Sequence, residues 1–366
     1  MSSNRRIYRH TRKSLMQLYP QKMLNGHQIR HLNTLSIMIS GIVQGKQCHL
    51  EQIALKIPDG TQTRSKVQKF ARLLQNETVN AEIFFLPFIM PLLVALANAG
   101  LILLAIDGSE TGQRCMTLMM SVIYRKRAIP IAWITEKGNK GHLSEELHVQ
   151  LIEKVIEIVP DQAEIVVLGD GEFDGIQFQA QIEKAGWEYV LRTAKNTIIN
   201  DDGDEFSLKN IGLKRGEQIE LFDVRFTKKH YGPVSVAAWW DKNYDEPIYL
   251  VTRMACLSEA CDLYRKRYCI ETFFSDEKSR GFNLQRSRLK DPERVERFLI
   301  AACLAYIWMI YLGTQVLNLR EVMKQIHRVD RCDLSLFQLG LRYVEHLLNH
   351  EQDVPISFML PTTLNV

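Results

Sequence analysis

Three acidic residues define the chemistry open to this chain: Asp107 in AIDGSET, Asp170 in LGDGEFDG and Glu271 in YCIETFF. Each Asp closes a largely apolar run, ILLAI before the first and EIVVLG before the second. That is the pattern of a buried strand leaving the core at a carboxylate. Glu271 lies in a stretch of good helix formers, Ser258 to Arg280, with no Pro or Gly until Gly281, which predicts one helix of about six turns. At about 100° per residue, Tyr264, Arg267, Glu271 and Lys278 share a stripe roughly 60° wide. Leu263, Cys269, Phe273 and Phe274 take the other side. Carboxylates on two strand ends and a helix are hard oxygen ligands suited to Mg²⁺, with Mn²⁺ as a substitute. Two such ions, about 3.5 to 4 Å apart, activate a water or a 3′-hydroxyl and stabilise the leaving oxygen in displacement at phosphorus. The plainer reading makes each Asp a turn or cap, and Arg267 with Glu271 an i, i+4 ion pair on a solvated face.

Composition sets the frame for these residues. A chain of 366 residues with 46% apolar and 24% charged side chains folds into two or three domains, or one elaborated α/β domain. Seven cysteines without a C-x-x-C pair argue against a disulfide framework or a zinc knuckle, and fit a reducing cytoplasm. The basic N-terminus has no apolar segment behind it, so no secretory signal is expected. The uncharged run from Phe298 to Leu317 follows an amphipathic DPERVER start and is expected as a helix buried in a large core, not a membrane span.

The net charge of +4 is unevenly spread, with 13 Lys and Arg against 4 Asp and Glu in residues 1–100. That asymmetry suggests a polyanion-binding module joined to a differently employed domain. HLEQIALKI, the break PDG and TQTRSKVQKFARLLQN read as helix, turn, helix, with Thr61 or Thr63 able to cap the second helix. Val67, Phe70, Leu73 and Leu74 give that helix an apolar face. Arg64, Lys66, Lys69 and Arg72, with Gln62 and Gln68, are expected on the opposite face, toward the phosphates and base edges of DNA. A solvated basic helix is the alternative.

After Asn76 the composition changes. EIFFLPFIMPLLVALANAG is expected as a buried helix, and three strands follow as a meander, from LILLAIDGSET through CMTLMMSVIYRKR to IPIAWITEKG. Beyond it the pattern becomes helix, strand, helix, strand up to WEYVLRTAK. Three further strand-like pieces lie between Asn200 and Met254.

The spacing Tyr264-x2-Arg267-x3-Glu271-x6-Lys278 resembles the Y-R-E-K signature of bacterial DDE transposases of the insertion-sequence-four family. Asp107 and Asp170 match that family's first two metal-binding carboxylates. LGDGEFDG is similar to its D-R-E-x-D stretch, with Glu172 and Asp174 in place and Gly171 where Arg is usual. The resemblance covers about residues 100 to 315. It implies an α/β fold, an RNase H-like catalytic core with an inserted β-rich domain. The layout is then a helix-turn-helix-like DNA-binding domain over 1–76, core over 77–199, insert over 200–256, core with the Y-R-E-K helix over 257–318, and C-terminal helices over 319–366.

The implied activity is end binding at terminal inverted repeats, hydrolysis at the transposon ends and joining of 3′-hydroxyls to target DNA. Tyr264, Arg267 and Lys278 are implied to contact phosphates at the cleavage site. Members with the insert often work through a DNA hairpin with an aromatic side chain receiving a flipped base, for which Trp239, Trp240 and Tyr249 are candidates; packed strand residues are the alternative. Partners are double-stranded DNA and, because two ends must meet, a second copy of the chain, acting in the bacterial cytoplasm at the nucleoid. Three other readings stand beside this one: a metal-dependent nuclease that never joins strands, an inactive DNA-binding protein, and a dinucleotide enzyme built on Gly169, Gly171 and Gly175.

Overall fold

The computed structural model describes residues 3–17, 24–57, 60–138, 143–278, 280–327 and 333–361. The chain begins all-helical, with α1 (Ser3–Gln17), α2 (Gly26–Gly45), α3 (Leu50–Leu55), α4 (Thr63–Gln75), α5 (Ala81–Phe84) and α6 (Leu86–Ala99). Asn25 and Gln28 form a capping box at the start of α2. Part of the PDG break between α3 and α4, residues 58 and 59, lies outside the described residues. The N-cap of α4 is Gln62, which makes no side-chain bond to the helix, so neither Thr61 nor Thr63 holds that position. Phe70, Leu73 and Leu74 are buried as the periodicity predicts. Lys66 is the exception on the basic face. It is 9% exposed, and its Nζ donates to the Ile57 carbonyl at 2.8 Å, because its long stem carries the ammonium back to the chain just past the end of α3. Arg64, Lys69 and Arg72 are exposed.

The meander follows as β1 (Ile102–Gly112), β2 (Cys115–Tyr124) and β3 (Arg127–Lys137), all antiparallel. Next come α7 (Glu145–Ile158), β4 (Ile165–Gly169), α8 (Ile176–Lys184) and β5 (Glu188–Thr193), with β4 parallel to both β1 and β5. The stretch from 198 to 252 supplies β6 (Ile198–Asp201), β7 (Asp204–Ser207), β8 (Gln218–Phe226), β9 (Tyr231–Trp239) and β10 (Ile248–Thr252). These strands form no sheet of their own. Strand β10 pairs antiparallel with β5, so one ten-stranded mixed sheet runs β3-β2-β1-β4-β5-β10-β9-β8-β6-β7.

The remaining helices are α9 (Leu257–Lys266), α10 (Cys269–Glu277), α11 (Pro292–Leu317), α12 (Arg320–Ile326) and α13 (Leu336–Asn349). Side chains alternate across the sheet. Leu103, Val166, Leu168, Val190 and Leu250 meet α9 through Leu257, Ala260, Leu263 and Tyr264. Leu104, Ile106, Val167, Leu191 and Val251 belong to the larger core that holds α7, α10 and α11. Helix α11 is long and apolar enough to cross a membrane, yet 89% of its most apolar window is buried inside the protein.

Helices α11 and α13 cross at two glycines. A Cβ on Gly313 would lie 2.0 Å from the Leu336 carbonyl, and one on Gly340 would lie 2.0 Å from that of Met309. Backbone cannot yield as a side-chain tip does, so Gly340→Ala should destabilise the protein by about 3 kcal/mol through overpacking. A urea midpoint within error of wild type would show that the helices can separate freely.

Candidate active site

The register of the central sheet brings the first two carboxylates together. Strands β1 and β4 pair in parallel through Leu104 with Val167 and Ala105 with Leu168. The pairing ends there, and two residues on, the Asp107 carboxyl feels the charge of Asp170, the first residue past β4. Strand β4 ends at Gly169 and Asp170 turns out of the sheet, as its sequence predicts. A Cβ on Gly169 would lie 2.8 Å from Phe173 and 2.9 Å from Leu191, so glycine is what allows that exit. Asp170 Oδ1 then accepts the Glu172 N–H at 3.0 Å and its carbonyl accepts Phe173 N–H at 3.1 Å.

Asp107 differs from expectation in one respect: it is not at the end of its strand. Strand β1 runs on to Gly112, held by Gly108 opposite Leu118 and Ser109 opposite Thr117 of β2. What ends beside Asp107 is the parallel neighbour, and that leaves its carboxyl half-buried on an open flank of β1.

Glu271 reaches the same place from a helix that is not continuous. The predicted six-turn helix is divided into α9 and α10 at Arg267 and Tyr268, and Lys278 lies just past the end of α10. Both residues at the break keep right-handed helical angles. The chain tightens there, with Arg267 N–H bonding the Tyr264 carbonyl and Ile270 N–H bonding that of Arg267, an i to i+3 pattern. The four signature residues therefore come from two helical segments and their C-terminal caps, and Tyr264 is 7% exposed against the sheet. The Arg267 guanidinium hydrogen-bonds Glu271 Oε1 and lies 5.8 Å from the centre of the Tyr264 ring. Lys278 Nζ donates to Ser109 Oγ at 2.5 Å, tying the end of α10 to β1. Ser109 is not marked out by its sequence context alone; its place two residues beyond Asp107, on the same side of β1, is the signal that could have found it.

Electrostatics shows that these groups act on one another. The Asp107 carboxyl is pushed up to about 7, first by burial and then by the charge of Asp170. Arg267 and the Gly108 N–H oppose the shift, and Glu271 adds to it. Among the described residues no three His, Cys, Asp or Glu side chains form a ready metal cluster; the third carboxylate is engaged by Arg267. The donor set still fits a hard divalent cation. All three groups offer carboxylate oxygen, and the strain between Asp107 and Asp170 is of the kind a cation relieves.

The residues around Asp170 hold the loop rather than join the cluster. Glu172 Oε1 accepts Leu143 N–H at 2.6 Å, and Asp174 accepts the Thr193 hydroxyl at 2.6 Å. Glu145 Oε1 accepts the Gln177 and Phe178 N–H groups at the start of α8. A phosphate on the glycine-rich turn would need that helix end, so the dinucleotide reading fails on an occupied site.

The aromatic candidates are also placed differently from expectation. Trp239 is 6% and Tyr249 4% exposed, and in the β9–β10 pairing they belong to opposite faces of the sheet. Arg265 covers the Trp239 ring at 4.4 Å, and half-buried Trp240 donates its indole N–H to the Tyr244 carbonyl. As packed, these three side chains hold strands together and offer no common platform for a base.

A family model described as transposase DDE domain matches residues 104–308, more than half of the chain. No curated protein sequence matches. Among solved structures, the piggyBac transposase in its synaptic complex with hairpin DNA is similar at 11% identity and TM-score 0.44, over 96% of this chain and 79% of that one. Human ENDOV is similar at 14% identity and TM-score 0.24, over 55% of this chain and 82% of that one. Both likenesses are weak.

Proposed function

The chain belongs to the transposase DDE domain family, and on that premise we propose that it is an insertion-sequence transposase of the Y-R-E-K type. In this reading it has an RNase H-like core built on β1 to β5, binds terminal inverted repeats through α3 and α4, cleaves transposon ends and joins 3′-hydroxyls to target DNA. The observation that supports it is that the charges of Asp170, Arg267 and Glu271 all bear on the Asp107 carboxyl, with Arg267 hydrogen-bonded to Glu271.

Asp107, Asp170 and Glu271 would hold Mg²⁺, two ions in this reading, which supply an activated oxygen nucleophile and charge stabilisation at phosphorus. Arg267 presents a planar donor fork suited to a phosphodiester oxygen, and it must give up Glu271 to use it. Lys278, anchored on Ser109, adds a second cation on the same flank. The Asp107 carboxyl, half protonated near pH 7, must shed its proton to serve as a ligand. Two ends are processed together, so a homodimer is the working unit.

The test is a labelled duplex carrying the DNA at the edges of the segment that encodes the chain, incubated with protein and Mg²⁺. Denaturing gels should show nicked strands ending in 3′-hydroxyls and longer joined strands, with both products absent on adding EDTA. Nicks without joined strands would reduce the enzyme to a nuclease, and turnover of neither would overturn the reading.

A further inference from the structure

We propose that a groove between the helical module and the segment leading into α11 holds backbone phosphates of the bound duplex, and so aims the DNA gripped by α3 and α4 at the carboxylates. This rests on the transposase reading. The groove has a volume of about 340 Å³. One wall is His49 and Glu51 at the start of α3 with Val67 of α4; the other is the segment from Ser287 to Arg294 that leads into α11.

Two donors on that second wall are without partners. Ser287 is 5% exposed and its Oγ makes no hydrogen bond among the described residues; the buried Nε of Arg294 is likewise unmatched. Buried polar groups of this kind normally find a partner, and both residues line the groove. Arg288 and Lys290 are exposed beside them. The groove also contains two carboxylates: Asp291, whose Oδ1 accepts the Arg294 main-chain N–H as the N-cap of α11, and exposed Glu51. Lys290 further lines a neighbouring cavity of about 750 Å³ with Arg114 and Lys137, where no carboxylate is among the described lining residues. Lys290 therefore lines both cavities, with Arg288 and Arg294 on one side of it and Arg114 and Lys137 on the other.

The groove is fixed relative to both ends of the reaction. Gln113 N–H bonds the Leu289 carbonyl at 2.7 Å, and a Cβ on Gly112 would lie 2.8 Å from that oxygen, so the β1–β2 turn is seated directly on this segment. Arg297 bonds the Leu74 carbonyl at the end of α4 at 3.0 Å. Asp107 on β1 is six residues before Gln113, which follows the end of that strand, about 20 Å at roughly 3.3 Å per residue. That is the length of about six base pairs of duplex, short enough for one bound end to touch the groove and the carboxylates.

The experiment measures affinity for the end duplex in EDTA across a range of salt. Every phosphate that a Lys or Arg neutralises contributes about 0.9 to the slope of log affinity against log salt. The full-length double variant Arg288→Gln with Lys290→Gln should therefore show a slope shallower by about 1.8. Lys228→Gln with Lys229→Gln, the same charge change on the exposed β8–β9 turn, should keep the wild-type slope. If thermal melts show the first pair misfolded, Lys290→Gln alone should give a slope shallower by about 0.9. A wild-type slope in the groove variant, with wild-type protein still cleaving in Mg²⁺, overturns the groove and leaves the transposase reading standing. Wild-type protein that neither binds nor cleaves overturns both.

Discussion

Asp170→Ala, and equally Asp107→Ala or Glu271→Ala, should lower divalent-ion-dependent strand cleavage by about a thousandfold or more, the scale of losing a group that stabilises charge developing in the transition state. Binding of the end duplex in EDTA should stay within a few-fold of wild type, because the basic surfaces on α4 and in the 286–294 segment are untouched. Arg267→Ala serves as the control that separates ligand from positioning residue. It should retain part of the activity. It should also move the rise of the pH–rate profile to higher pH, since the Arg267 charge is one of the two influences that lower the Asp107 carboxyl. A metal-binding variant that still cleaves at more than a tenth of the wild-type rate would break the three-carboxylate assignment. So would three variants whose defects lie wholly in DNA affinity.

How far the sequence foretold this site depended on whether local pattern or tertiary packing set each feature. The two Asp residues were legible because each ends an apolar run, and parallel pairing of those runs is all that is needed to bring them side by side. The LILLAIDGSET strand was legible, but not that Asp107 lies within it; the long hairpin partner β2 keeps Gly108, Ser109 and Glu110 extended past the apolar run. The division of the Y-R-E-K helix was hidden for a different reason. No residue in it breaks helices, but Leu263 and Tyr264 bury against one face of the sheet while Ile270 and Phe273 enter the core on the other. The helix is divided between these two cores, at Arg267 and Tyr268. Lys66 follows its helical period and still leaves the DNA face, because a long stem can carry an ammonium to a neighbouring carbonyl. Trp239 and Tyr249 resemble one aromatic patch in the linear order; strand pairing sends them to opposite sides.

Asp107→Asn should make the protein more stable at pH 8 while abolishing cleavage, and the gain should vanish near pH 4. In the folded protein this carboxyl titrates at about 7, against an ordinary value of 3.8. Between those values the folded state holds a proton that the unfolded chain has released, so folding stability falls as pH rises from about 4 to about 7 and is level above that. A shift of about three units is worth about 4 kcal/mol at most, and solvent on the open flank should roughly halve it. The neutral amide cannot be charged by rising pH, so it escapes that loss. Urea melts of both proteins at pH 4.5 and 8 would measure the difference. At the higher pH, Mg²⁺ should raise the stability of wild type by mass action and leave the Asn variant nearly unchanged, because a single ligand substitution removes both the repulsion and the reason to bind. A pH-independent difference, or an Asn variant weaker than wild type at pH 8, would show that the carboxyl is already matched inside the protein and has no need of a cation.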